Sequence, residues 1–328
     1  MRLDSLREIP YSPLRHMPQT LKPAPLHSGA SVRILSLASP VDESRLGSGM
    51  QEIERLGYKP KIDREKALAR GGFFAGPTVE RSAALKEALT ETDTGAIFCS
   101  RGGYGSNYLL EGLSVALATP KILLGYSDMT SLQIFLWQQF RWVSLYGPMV
   151  AAGLDKGAGV PEGYEPDSFM RALSETKQGW PIPLPGTEPI MPGSADGTLV
   201  GGCLTLIETA LGTPWELDTH GVILVLEDRG MKPWQVDRAL MHLKQAGKLR
   251  GVSGVLLGEF PECEGPAGTE TVLDVARRIL GTMGFPIVWG AAIGHTKRPM
   301  LTLPLGVRAR LRADEPSRLE ILEPACRA

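Results

Sequence analysis

No stretch of these 328 residues is apolar for long enough to cross a bilayer as a helix, and none near Met1 has the length of a signal-peptide core. That argues against a membrane protein and points to the cytoplasm. Charge of one sign is missing as well. The 35 basic and 36 acidic residues leave a net charge of −1 without a block of like charges, so nucleic acid and anionic lipid are poor partners. The four cysteines, Cys99, Cys203, Cys263 and Cys326, lack the spacing of a zinc site or a disulfide framework. They read as free thiols, with Cys99 and Cys203 buried in apolar or glycine-rich runs. No repeat of fixed period is visible.

What is present fits an ordinary globular enzyme-sized chain. Hydrophobic residues make up 43% and charged residues 22%, and the length exceeds what one core usually serves, so two domains are expected. Residues 1–30 read as a proline-rich extension, because Pro10, Pro13, Pro18, Pro23 and Pro25 block regular helix. Apolar runs at 32–38, 58–62, 95–99 and 121–125 alternate with helical patterns at 43–56, 79–89, 107–113 and 129–139. This predicts an α/β domain over 31–165, with a mostly parallel sheet covered on both faces. Glycine and proline dominate 166–195, which reads as a linker. A smaller mixed α/β domain is expected over 196–328, with strands at 221–226, 254–258 and 287–289, helices at 203–211 and 235–246, and a hairpin within 301–311.

Two strand ends carry chemistry. Ser127 follows the apolar strand through Gly125 and precedes a helix, the strand-to-helix elbow that exposes a nucleophile. Alone, Gly-Tyr-Ser-Asp lacks the second glycine of the familiar elbow, and a serine before a helix is more often a helix cap. Its company changes the balance. Arg101-Gly102-Gly103-Tyr104-Gly105 also leaves a strand, and its glycines let backbone N–H groups approach an anion. It lacks the lysine of a phosphate loop and the dinucleotide spacing.

Among five histidines, His16 and His27 lie in the extension, His220 at a turn and His242 within a helix. His295 sits among small residues just beyond a strand and is the best candidate base. Glu227 ends the strand Val222-Ile-Leu-Val-Leu226, an unusual place for a carboxylate, and is the candidate orienting acid.

With these residues go Leu-Ala-Ser-Pro at 37–40, Phe-Ala-Gly at 74–76, Tyr-Gly-Pro-Met at 146–149, Gly-Gly-Cys-Leu at 201–204, Leu-Gly-Thr-Pro-Trp at 211–215, Leu-Glu-Asp at 226–228, Val-Asp-Arg at 236–238 and Gly-His at 294–295. As an ordered set from Ser31 to Pro324 they resemble the LD-carboxypeptidase family of serine peptidases, whose relatives include microcin C immunity peptidases. The resemblance implies a nucleophile-bearing domain followed by one carrying acid and base, with Ser127, Glu227 and His295 in those roles. It implies an oxyanion site from the N–H groups of Asp128 and Gly103, beside Gly102. It further implies a cytoplasmic homodimer, using no metal or other cofactor, that releases D-alanine from murein tetrapeptide in cell-wall recycling.

Arg101 is a candidate for the substrate carboxylate, since guanidinium matches carboxylate geometry; a salt bridge that stiffens the turn is the competing role. Where the family often has an acidic residue after Leu-Glu-Asp, this chain has Met231. An amidase acting on aminoacyl-nucleotide conjugates is the alternative, with Trp215, Trp234 and Trp289 as candidate base platforms. A binding module that keeps the fold without catalysis is a third reading.

Overall fold

The computed structural model describes residues 19–113 and 119–328. The first half supplies strands β1 (Ser31–Leu35), β2 (Lys59–Lys61), β3 (Ala96–Cys99), β4 (Ile122–Gly125) and β5 (Ser144–Tyr146). The second supplies β6 (Trp180–Pro183), β7 (Glu188–Met191), β8 (Ser194–Cys203), β9 (Val222–Glu227), β10 (Gly254–Gly258), β11 (Ile287–Ala291), β12 (Leu303–Leu305), β13 (Arg308–Arg312) and β14 (Arg318–Ile321). They form two sheets, ordered β12-β5-β4-β3-β1-β2 and β6-β14-β13-β8-β9-β10-β11-β7.

In the first sheet β5, β4, β3, β1 and β2 run parallel, and only β12 is antiparallel. β3 and β4 are buried at every position, which is why they read as unbroken apolar runs rather than alternating ones. The second sheet is mixed: β8, β9, β10 and β11 are parallel, and the flanking pairs are antiparallel. The architecture is the expected α/β arrangement of a mostly parallel unit and a mixed one.

Three segments depart from the sequence reading. The expected linker at 166–195 carries a helix, Pro166–Ser174, and strands β6 and β7. These proline-containing strands are the two outer strands of the second sheet, the places where a missing N–H costs no ladder bond. Proline is there an edge-strand signal rather than a linker signal. The expected hairpin at 301–311 does not form; β12 pairs with β5 in the first sheet, whereas β13 pairs with β8 and β14 in the second. In place of a helix at 107–113 there is a 3₁₀ turn, Ser106–Leu109.

Residues 1–18 of the expected extension, and residues 114–118, lie outside the described residues. From residue 19 the chain already packs on the body. Leu21 exchanges backbone bonds of 2.8 and 2.9 Å with Arg141 and Val143, and Leu26 is buried.

The crossover of β12 and the packing of helix Thr130–Phe140 against β8 bring the two sheets together. The carboxyl ends of β4, β5 and β9 meet there. Ligands of parallel α/β sheets bind outside such ends.

Candidate active site

Ser127 sits at a tight bend. β4 ends at Gly125, Ser127 takes φ +62°, and a single 3₁₀ turn leads into helix Thr130–Phe140. For a residue with a Cβ, that left-handed conformation costs roughly 1–2 kcal/mol, and it has the form of a strained elbow that can lift a hydroxyl off the sheet. Close packing holds it. Gln133 Nε2 donates to the carbonyls of Gly125 and Leu145, at 3.0 and 2.9 Å, tying the ends of β4 and β5.

The glycine-rich turn lies directly against this elbow. A Cβ on Gly102 would come within 2.9 Å of Ser127 Cβ, so only glycine leaves room there. Asp128 is buried and points away from the solvent. Its carboxylate accepts the N–H groups of Ser106 (2.8 Å) and Gly105 (3.3 Å), and its carbonyl accepts Ser106 Oγ at 2.6 Å. The Asp128 side chain therefore fastens one turn to the other. Among the described residues, neither the N–H of Asp128 nor that of Gly103 donates to a protein acceptor.

Glu227 is fully buried, and its two oxygens are shared out. Oε2 accepts both His295 Nδ1 (2.9 Å) and the His295 backbone N–H (2.8 Å), and Oε1 accepts the Tyr146 hydroxyl at 2.6 Å. A carboxylate can only accept, so Nδ1 carries the proton and Nε2 is the basic nitrogen. Burial works to raise the Glu227 pKa, but the His295 charge and the hydrogen bonds from His295 and Tyr146 outweigh it, and the net shift is downward. For His295, burial works to lower the pKa, yet the charge and hydrogen bond of Glu227 prevail and place it above the ordinary imidazole value. A charged carboxylate thus holds an imidazole of raised basicity.

Ser127 and His295 line one cleft of about 440 Å³ together with Arg101, Gly102 and Gly103. No hydrogen bond joins Ser127 Oγ to His295 among the described residues; contacts of this kind are often long until substrate closes the site. Glu227 stands behind His295, and Asp128 beneath Ser127. The cleft rim is charged: Arg45 pairs with Asp155 at 2.7 Å, and Arg229 grips Glu262 through both carboxylate oxygens. Arg101 is exposed, donates to the Pro40 carbonyl at 3.2 Å, and has no carboxylate within 4 Å among the described residues, so the stiffening salt bridge is not formed with any of them.

Other expected residues lie elsewhere. Trp215 packs edge-on against Phe135, Trp289 stacks on Phe260, and the exposed Trp234 lies under the Arg238 guanidinium. None of the three lines the cleft. Met231 contacts Thr205 Oγ1 through its sulfur at 3.5 Å. All four cysteines are free and buried. Among the described residues no cluster of three or more His, Cys, Asp or Glu side chains is placed to hold a metal ion.

Sequence reasoning missed Tyr146, Tyr126 and Glu259. The Tyr126 ring meets the His295 imidazole edge-on with centroids 5.1 Å apart. Glu259 accepts Thr296 Oγ1 and the Lys297 N–H, at 2.6 and 3.0 Å, and pairs with Arg298, pinning the loop that carries His295. Tyr146 stands in the Tyr-Gly-Pro-Met segment and Glu259 directly follows β10; a polar residue closing a buried strand was the available signal.

A hydroxyl on a strained elbow, a carboxylate-held imidazole and unpaired N–H groups around one cleft are the parts of a serine hydrolase on an α/β frame. Comparison with known proteins agrees. Residues 32–147 match the LD-carboxypeptidase N-terminal domain and residues 196–311 the LD-carboxypeptidase C-terminal domain. The chain is 34% identical over 302 residues to a probable murein peptide carboxypeptidase of Bacillus subtilis (strain 168), covering 90% of this chain and 92% of that one. Among solved structures it superposes on a muramoyltetrapeptide carboxypeptidase from Oxalobacter formigenes with TM-score 0.78 and 27% identity, covering 90% and 99% of the two chains. The fold is also that of the microcin C7 self-immunity protein MccF, solved with glutamyl sulfamoyl guanosine (TM-score 0.84, 24% identity, 93% and 99% covered). The chain belongs to the LD-carboxypeptidase family.

Proposed function

We propose that this protein is a serine carboxypeptidase that hydrolyses an L,D-peptide bond, releasing terminal D-alanine from murein tetrapeptide. The observation that carries the reading is the Glu227–His295 pair opening onto the cleft that also holds Ser127. Ser127 Oγ attacks the scissile carbonyl while His295 Nε2 takes its proton. The N–H groups of Asp128 and Gly103 receive the oxyanion. His295 then protonates the departing amine, leaving an acyl-enzyme, and activates the water that hydrolyses it; Glu227 holds the imidazole and balances its charge throughout. Arg101, cationic and without an acidic partner among the described residues, is suited to a substrate carboxylate. Cytoplasmic cell-wall recycling by a homodimer belongs to the same proposal.

The test is a panel of murein tri-, tetra- and pentapeptides, with D-alanine release followed by chromatography. The expected result is turnover of the tetrapeptide and a loss of about 10⁴-fold or more in Ser127→Ala. Undiminished release by Ser127→Ala would overturn the mechanism. Turnover of an aminoacyl sulfamoyl nucleoside in place of the tetrapeptide would transfer the same chemistry to the amidase reading, and labelling of neither protein by a serine-directed fluorophosphonate, with no turnover, would leave a binding module.

A further inference from the structure

Nucleophile and base arrive on different sheets, so something must hold the two sheets in register at the site. Ser127 follows β4 in the first sheet, whereas Glu227 ends β9 in the second and positions His295. One side chain joins them. The Tyr146 hydroxyl, at the end of β5 in the first sheet, donates to Glu227 Oε1 at 2.6 Å and accepts the Ser127 N–H at 3.3 Å. The residue is completely buried, so this phenol has no water to exchange with and its hydrogen bonds are fixed in direction.

We propose that Tyr146 is a positioning residue that sets the reacting geometry by clamping the Glu227 carboxylate to the Ser127 backbone across the two sheets, a role that rests on the serine-peptidase reading above. Three observations support it. The Ser127 N–H is taken up by Tyr146, which assigns the oxyanion to other donors and gives a partner to a backbone group of the strained elbow. Glu227 Oε1 has Tyr146 as its donor, so the other oxygen remains free to serve His295. The surroundings are shaped to the ring: Gly202, with φ +143°, passes so close that a Cβ there would meet Thr130 and come within 2.9 Å of a Tyr146 ring carbon. The Thr130 hydroxyl in turn accepts the Cys203 N–H at 3.0 Å, a second tie between the elbow helix and β8.

Tyr146 touches no reacting atom and acts through Glu227 and Ser127. Removal of the hydroxyl alone should therefore alter catalysis more than substrate binding. In Tyr146→Phe, kcat for D-alanine release should fall about 10- to 100-fold, the worth of a charge-assisted hydrogen bond to a buried carboxylate, with KM within about threefold. Without that donor the Glu227 charge is directed more fully at His295, and the acid limb of the kcat/KM profile should move to higher pH.

The experiment measures kcat, KM and the pH profile for Tyr146→Phe, Glu227→Gln and the double variant, with Ser127→Ala as control and thermal unfolding of each to check folding. A clamp that works through Glu227 predicts that Tyr146→Phe adds less than about threefold to the loss in the Glu227→Gln background. An inactive Ser127→Ala with a Tyr146→Phe variant of normal kcat and unmoved acid limb would overturn the clamp while leaving the peptidase reading intact. An active Ser127→Ala would overturn the peptidase reading itself. Equal losses from Tyr146→Phe with and without Glu227→Gln would show that the hydroxyl acts independently of Glu227 and reject the clamp.

Discussion

Gly294 offers a sharp test of how tightly the acid is held. It precedes His295, has φ +57°, and a Cβ at that position would lie 2.7 Å from both Cγ and Oε1 of Glu227. Alanine therefore meets two penalties. The left-handed backbone costs roughly 1–2 kcal/mol, and Glu227, fully buried with no spare space, must move away from its partners. Weakening its hydrogen bonds to Tyr146 and His295 adds about 1.5–3 kcal/mol for charged donors and acceptors. Gly294→Ala should thus destabilise the protein by about 2.5–5 kcal/mol. Displacing the carboxylate by about an ångström should also lower kcat about 100-fold. Urea unfolding gives the first number and D-alanine release the second. Gly247→Ala is the control, since Gly247 has φ +76° and nothing within 4 Å of where an added methyl would stand; it should lose only the backbone cost of about 1–2 kcal/mol and keep full activity. If Gly294→Ala loses no more stability than Gly247→Ala and retains kcat, the crowding argument for Glu227 is wrong.

Further outcomes rest on the same geometry. In the proposed mechanism His295 serves as base only when neutral, and its pKa lies above the ordinary imidazole value because Glu227 outweighs burial, so kcat/KM should rise with pH through a limb above about 6.5. In Glu227→Gln burial is left without its counterweight, and that limb should shift to lower pH as kcat drops. Stability carries the opposite signs for the two partners. The depressed Glu227 pKa gives a contribution present above about 4.3, the unfolded value, and lost as pH falls through the folded pKa. The raised His295 pKa gives one present below about 6.5 and lost as pH rises through its folded pKa, so unfolding measured against pH should show the pair at its strongest between those two values. Finally, Asp128→Asn turns one of the two carboxylate oxygens that receive the Ser106 and Gly105 N–H groups into an amide donor, leaving one N–H without its acceptor; it should cost about 1–3 kcal/mol and lower kcat by loosening the glycine turn, with circular dichroism verifying the fold.

How much of this is legible in the sequence varies by element. The helix expected at 43–56 is Glu43–Arg55, and the strand expected at 254–258 is Gly254–Gly258; both carry strong periodic or unbroken apolar patterns, which report burial directly. Ser127, Glu227 and His295 can be singled out for a related reason, since polar residues at the ends of apolar strands violate the pattern around them. The outer strands β6 and β7 resemble linker because each is only four residues long and carries proline: β6 alternates buried and exposed with prolines at its exposed positions, and β7 is half-buried throughout. Helix Val272–Leu280 and strand β14 have no place in the sequence reading either, although the helix has a Thr271–Asp274 capping box that could have marked it.

The sequence by itself determined the alternation of strands and helices, the elbow at Ser127 and the glycine turn beside it. Each depends on neighbours a few residues away, through period, backbone freedom and strand endings. Tertiary structure alone decided which sheet each strand joined and which polar groups met. Tyr146 and Glu227 are 81 positions apart, and Glu227 and His295 are 68 apart. Contacts across such distances depend on how buried faces stack and on which donors find acceptors once water is excluded. A local pattern marks a side chain for burial without naming the partner that makes its burial affordable.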